Sequence, residues 1–252
     1  MGTQGRNYHR VVPGQGEWWR RVVDVSGHLN PGGQQFRDDN GAVEPRVAQA
    51  LAAYVAGEGS EQAALVALSA ARLLVPVVAV LSDGSASAQG DKNSEMVLPT
   101  LIGRDGRPAV LAFTCLDTLA RWRSNARPVP AEADRVWRAA VADGCAVVID
   151  VAGPVPLAVE GARLEALAAG HPVPAPHEDP DVRAEVEAAV AAEPAIAGFS
   201  LAAGSADGTD LAIRLSLAVR DWEPVVDRAA SSIAARLAGR LRRGIEFSVA
   251  AA

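Results

Sequence analysis

Arg72-Leu73-Leu74-Val75-Pro76-Val77-Val78-Ala79-Val80 opens the block, reaching to Gly170, whose reading decides the fold. Through Leu81 the run is almost wholly apolar and of strand length, which predicts a strand covered on both faces. Pro76 removes a ladder donor within it and predicts an edge or a bulge. Two further strands are expected over 96–102 and 108–113. Gly103-Arg104-Asp105-Gly106-Arg107 lies between them as a hairpin turn, with Asp-Gly supplying the positive φ values. Thr114 then reads as an N-cap with Asp117 three residues on, opening a helix through Leu116, Leu119, Ala120 and Trp122. Arg127-Pro128-Val129-Pro130 reads as its breaker. A second helix is expected over 131–142, with Ala133, Val136, Trp137 and Ala140 on one stripe and Gly144 as its stop. Strands at 145–151 and 155–159 and a helix at 162–169 complete the block.

On either side the pattern changes. Two short helices are expected upstream, over 45–56 and 60–71, the second capped by Ser60. Residues 1–44 are rich in glycine and mixed charge and lack periodicity except at Gly14–Val23, and 1–34 read as an N-terminal extension. Downstream, 171–180 holds four prolines and reads as a semi-rigid linker. Beyond it come a helix at 181–192, strands at 196–203 and 211–219, a long helix at 222–241 and a strand at 245–249. The alternation of Leu211, Ile213, Leu215, Leu217 and Val219 with small or polar residues marks a half-buried strand. The order α-β-β-α-β suits a small sheet with helices on one face. The chain is therefore expected to be α+β, as two tandem modules over 35–170 and 181–252, each a sheet packed with helices.

These residues carry a resemblance. The strand 73–81, Lys92-Asn93-Ser94-Glu95-Met96, Leu111-Ala112-Phe113-Thr114, Arg127-Pro128-Val129-Pro130 and the strand 145–151 resemble the N-terminal domain of the SseB family, named for enhanced serine sensitivity. Gln35-Phe36-Arg37-Asp38-Asp39-Asn40-Gly41 looks like the usual family start, and 180–250 resembles the SseB C-terminal domain. The likeness covers roughly 35–250. It implies a loose tie to serine sensitivity and no particular reaction, cofactor or catalytic residue.

Composition narrows the function classes. Of the 252 residues 49% are hydrophobic but only 4% aromatic, so a core must be built from Ala, Val and Leu. No apolar run reaches the roughly 18 residues a membrane helix needs, and no signal-peptide-like segment opens the chain, which predicts a cytoplasmic protein without membrane partners. The 24 basic residues include one lysine, Lys92, and abundant Arg and Ala point to a GC-rich genome rather than to nucleic acid. The net charge of −6 and a pI near 5.3 argue the same way.

Among candidate site residues, Cys115 stands out at an expected helix start, where dipole and free amides activate a thiol. Such a nucleophile still needs a base, and His9, His28, His171 and His177 all fall in tail or linker. Cys145, thirty residues on, forms no C-x-x-C pair, so zinc and redox motifs are unsupported. Lys92 could bind an anion, and Trp18 with Trp19 could anchor on another surface. Arg236, Arg240 and Arg243 share one stripe near the chain's end and could meet an acidic partner or a phosphate backbone. His171, His177, Glu178, Asp179 and Asp181 are better explained by linker composition than as metal ligands. No glycine pattern makes a phosphate cradle, and no cofactor is expected. The leading expectation is a non-enzymatic binding or regulatory protein whose partner is a protein or a small metabolite. A thiol enzyme using Cys115 comes second. A translation- or nucleic-acid-associated factor using the Arg stripe comes third.

Overall fold

The computed structural model describes residues 20–22, 36–81, 94–103, 106–204, 208–219, 221–237 and 240–251. Lys92, Trp18 and Trp19 lie outside these. Among the described residues are seven helices and three sheets, so the chain is α+β.

The described residues group into two compact units. One holds the described residues of 1–44 and 70–160; the other holds those of 45–69 and 161–252. Helices α1 (Pro45–Ala56) and α2 (Glu61–Ser69) pack against each other, burying Val47, Leu51, Leu65 and Leu68. Ser60 caps α2 as expected, its Oγ accepting from the Ala63 N–H at 3.1 Å.

The first unit holds two sheets. Strand β1 (Arg20–Val22) pairs with β4 (Pro99–Ile102), and β4 with β5 (Pro108–Ala112) in the expected hairpin. Strand β5 runs parallel to β7 (Ala146–Ile149), which pairs with β8 (Leu157–Val159). The second sheet places β2 (Arg72–Leu81) between β3 (Ser94–Val97) and β6 (Arg127–Glu132). Two local expectations are corrected here. The strand expected over 96–102 is two strands: β3 joins β2, and the chain restarts at Pro99, which has no N–H to continue that ladder, to pair with β1 and β5. Arg127–Pro130 is not merely a breaker but begins β6, with Pro128 registered opposite Pro76. Matching the two prolines places both missing donors at one step of the ladder.

Helix α4 (Ala133–Ala142) buries Ala133, Val136, Trp137 and Ala140 on the expected stripe and packs on β2, β5, β6 and β7. A separate apolar cluster gathers Leu74, Val78, Leu101, Leu111, Phe113 and Leu119, the last from α3 (Leu116–Trp122). Leu74 and Phe113 exchange backbone hydrogen bonds of 2.7 and 2.8 Å, joining the second sheet to the end of β5.

The second unit contains the expected α-β-β-α-β run: α6 (Pro180–Val190), β9 (Ile196–Ala203), β10 (Leu211–Leu217), α7 (Glu223–Leu237) and β11 (Ile245–Ala251). Strand β10 is central, antiparallel to β9 and parallel to β11. Its alternation is realised as far as Leu217: Leu211, Ile213, Leu215 and Leu217 are buried against Val182, Val186, Ala229 and Ile233, while Val219 lies beyond the strand and is exposed. Each such burial contributes about 1.5–3 kcal/mol. Helix α5 (Gly161–Ala169) joins this unit through α6. The proline-rich segment is tied down at Val173, which is buried, and at Asp179, the N-cap of α6.

Candidate functional site

In the first unit, the chemistry-bearing side chains gather where the parallel strands β5 and β7 end. In open α/β sheets such carboxyl ends are where ligands are held. Strand β5 continues through Phe113 into Thr114 and Cys115, and β7 runs straight into Asp150. Asp150 has φ of 48°, the left-handed region that Asp tolerates better than most residues. This turn aims its carboxylate back at the start of α3. The tight return is held by the Gly153 N–H donating to the Asp150 carbonyl at 2.7 Å. A side chain at Gly153 would lie 2.9 Å from the Asp150 Cβ.

Asp150 is 3% exposed, and both oxygens of its carboxylate accept hydrogen bonds. Its Oδ1 accepts from the Thr114 N–H at 2.9 Å and the Thr118 hydroxyl at 2.5 Å; its Oδ2 accepts from the Thr114 hydroxyl at 2.6 Å. Thr114 is therefore not the helix cap that its spacing to Asp117 suggested. The N-cap is Cys115, in extended conformation, and its side chain makes no capping bond. Its Sγ lies 3.6 Å from the Thr118 Oγ1. Cys115 is half-buried, whereas Cys145 is buried, its Sγ donating to the Asp143 carbonyl at 3.5 Å. Burial raises the Cys145 thiol above its ordinary value, and Asp143 adds to the rise.

Arg72 straps the 36–44 segment to this corner. Its Nη1 donates to the Thr114 carbonyl at 3.0 Å and its Nη2 to the Ala42 carbonyl, while its Nε pairs with Asp39 at 2.8 Å. These arginine contacts are long-range in sequence, and spacing alone gives no hint of them.

Chemically the corner offers one half-exposed thiol and a buried carboxylate that accepts three hydrogen bonds. Asp150 reaches Cys115 only through the Thr118 hydroxyl. The described histidines, His171 and His177, belong to the second unit, so no imidazole accompanies this thiol among the described residues of the first.

The Arg stripe is dispersed by its partners. Arg236 pairs with Glu185 at 2.8 Å on the surface. Arg240 is turned inward, with its Nη2 2.5 Å from Asp179 and its Nε 3.5 Å from Glu61. The Arg243 backbone N–H donates to Asp210 at 2.9 Å. Two of the three guanidiniums are thus neutralised by carboxylates.

Arg240 belongs to a buried network that the sequence did not announce. Glu61 of α2 also pairs with Arg163 of α5, both side chains nearly inaccessible. Burial raises the Glu61 carboxyl above its ordinary value, against the pull of Arg163 and Arg240. Asp179 accepts from the Asp181 N–H at 2.8 Å, and Asp181 in turn accepts from the Ala162 N–H at 2.9 Å. Of the acids considered as metal ligands, Asp179 caps α6 and pairs with Arg240, Asp181 accepts from the Ala162 N–H, and Glu178 lies 3.9 Å from His177. No group of three or more potential metal ligands occurs among the described residues. No helix among them is long and apolar enough to cross a membrane.

Residues 47–166 match the model of the SseB protein N-terminal domain, within the 35–170 expected for it. The match begins in α1 and ends in α5, and so draws on both compact units. No curated protein and no solved structure matches the chain.

Proposed function

We propose, starting from a chain whose residues 47–166 match an SseB N-terminal domain, that this is an SseB-family protein in which 180–250 forms the SseB C-terminal domain. It acts in the cytoplasm as a non-enzymatic binding or regulatory protein, tied to serine sensitivity through its family. One observation carries the non-enzymatic reading. Asp150, which reaches the half-exposed thiol through Thr118, has both oxygens accepting from Thr114 and Thr118, which disfavours it as a base. The partner is a protein or a small metabolite. Affinity capture with the full chain from native lysate, read by mass spectrometry for proteins and small molecules, tests this. Retention of one specific partner, competed away by untagged chain, supports the proposal. A fraction that converts a substrate and is inactivated by Cys115→Ser overturns it.

A second reading, a thiol-dependent enzyme using Cys115, is favoured by the thiol's partial exposure and its place at the start of α3, where its side chain makes no capping bond. It requires a base other than Asp150.

A further inference from the structure

Strand β9, Ile196-Ala197-Gly198-Phe199-Ser200-Leu201-Ala202-Ala203, is an outer strand of its sheet, and no described strand pairs with its free side. It runs for eight residues without a charge or a proline. Soluble proteins normally guard such a row of unpaired backbone groups with charges, prolines, bulges or a covering element. The opposite edge strand, β11, carries Glu246; β9 carries no charge, and its one irregularity is a register shift at Ala197, which leaves 198–203 as a regular edge. Its outward positions are small and open: Ser200 and Ala202 are exposed, and a side chain at Gly198 would meet nothing within 4 Å. Its core-facing Phe199 and Leu201 rest on the apolar cluster of α6, α7 and β10 but stay only partly buried.

The size pattern is symmetric about Ser200. Large residues flank it at 199 and 201, and small ones follow at 198 and 202. In an antiparallel pair, residues directly opposite each other share a face. With Ser200 on a two-fold axis, Phe199 meets Leu201 of a second copy on the core face, and Gly198 meets its Ala202 on the open face. No like charges face each other. The pairing closes on itself, so the edge is consumed rather than extended into a fibre. An unrelated peptide would gain the backbone bonds but has no reason to match this pattern.

We propose that β9 is an association edge and that its occupant is β9 of a second copy, joined antiparallel about Ser200 into a six-stranded sheet. Little area is covered beyond the strand itself, so the association is weak and concentration-dependent.

Sedimentation equilibrium of the full chain, up to about 1 mM, tests it. A reversible monomer–dimer equilibrium is expected. Ser200→Lys places two ammonium groups opposite each other and weakens the dimer about fivefold or more. Ser200→Cys, nearly isosteric and on the exposed face, forms a disulfide-linked dimer under mild oxidation, because opposite residues lie at disulfide distance. Ala203→Cys does not, since its counterpart lies several residues away. Three results overturn the proposal: a monomer throughout the range, a dimer unmoved by Ser200→Lys, or cross-linking at Ala203→Cys equal to that at Ser200→Cys. The unsubstituted chain sets the background from its own cysteines.

Discussion

Glu61 and Arg163, 102 residues apart in sequence, form an ion pair inside the second unit with both side chains less than 10% exposed. Their burial makes the pair costly to break from one side. Glu61→Ala leaves Arg163 and Arg240 without this counter-charge and is expected to destabilise the fold by about 3–5 kcal/mol. Urea unfolding measures it. The surface pair Arg236–Glu185 is the internal control: Arg236→Ala should cost less than about 1 kcal/mol. Equal losses from the two variants would mean that the buried network contributes nothing special.

Asp150→Ala is expected to cost about 3 kcal/mol. It removes the acceptor of three hydrogen bonds, leaves the Thr114 and Thr118 hydroxyls to find other partners, and puts Ala where φ is 48°. Asp150→Asn keeps a side chain that tolerates this backbone and one carbonyl acceptor, so it should lose clearly less. Thermal or urea denaturation of the two variants side by side decides it.

These two clusters mark the limit of what was legible from residue order. Periodicity located the local elements: Leu211 to Leu217 alternate and become a half-buried strand, and Val136 with Ala140 gives the buried stripe of α4. Such patterns report a single element meeting a single environment. Arg127–Glu132 failed because proline vetoes a strand locally, yet Pro128 meets Pro76 across the ladder and the veto cancels. The grouping of helices with strands is non-local in the same way. Helices α1, α2 and α5 show which face is apolar, but not whether strands before or after them supply the cover. The acids were legible as residues and illegible as partners: Asp179 in a proline-rich segment gives no sign that Arg240 will reach it.

Gly161 is expected to resist substitution. Its φ is +58°, and a Cβ there would lie 2.1 Å from the Asp181 Oδ2, the atom that accepts from the Ala162 N–H. Gly161→Ala therefore strains the backbone and displaces the carboxylate together, with an expected loss of about 1–3 kcal/mol. Gly170, also at positive φ, has nothing within 4 Å of its would-be Cβ. Gly170→Ala should show the backbone cost alone, about 1 kcal/mol. The difference between the two melting temperatures isolates the contact with Asp181.

Acid titration should single out Glu193. Its hydrogen bonds from Arg228, both 2.8 Å, hold its carboxyl below the ordinary value of 4.5. A lowered folded-state value means that the group's contribution is present above about pH 4.5 and is lost as pH falls through that folded value. Arg228→Ala should return the carboxyl upward, read by side-chain carboxyl NMR, and should flatten the acid limb of the stability curve. High salt should act in the same direction on the intact chain.

Thr100 offers the opposite kind of test, in which removing a polar atom helps. Its hydroxyl is buried in β4 and has no hydrogen-bond partner among the described residues. A buried hydroxyl without a partner carries its desolvation cost uncompensated. Thr100→Val keeps the branched shape that the strand position favours and replaces the hydroxyl with a methyl group. Stability should hold or rise by up to about 1 kcal/mol, whereas most buried substitutions lose. A loss of more than about 1 kcal/mol would show that the hydroxyl has a partner, and a bridging water would then be the first group to look for.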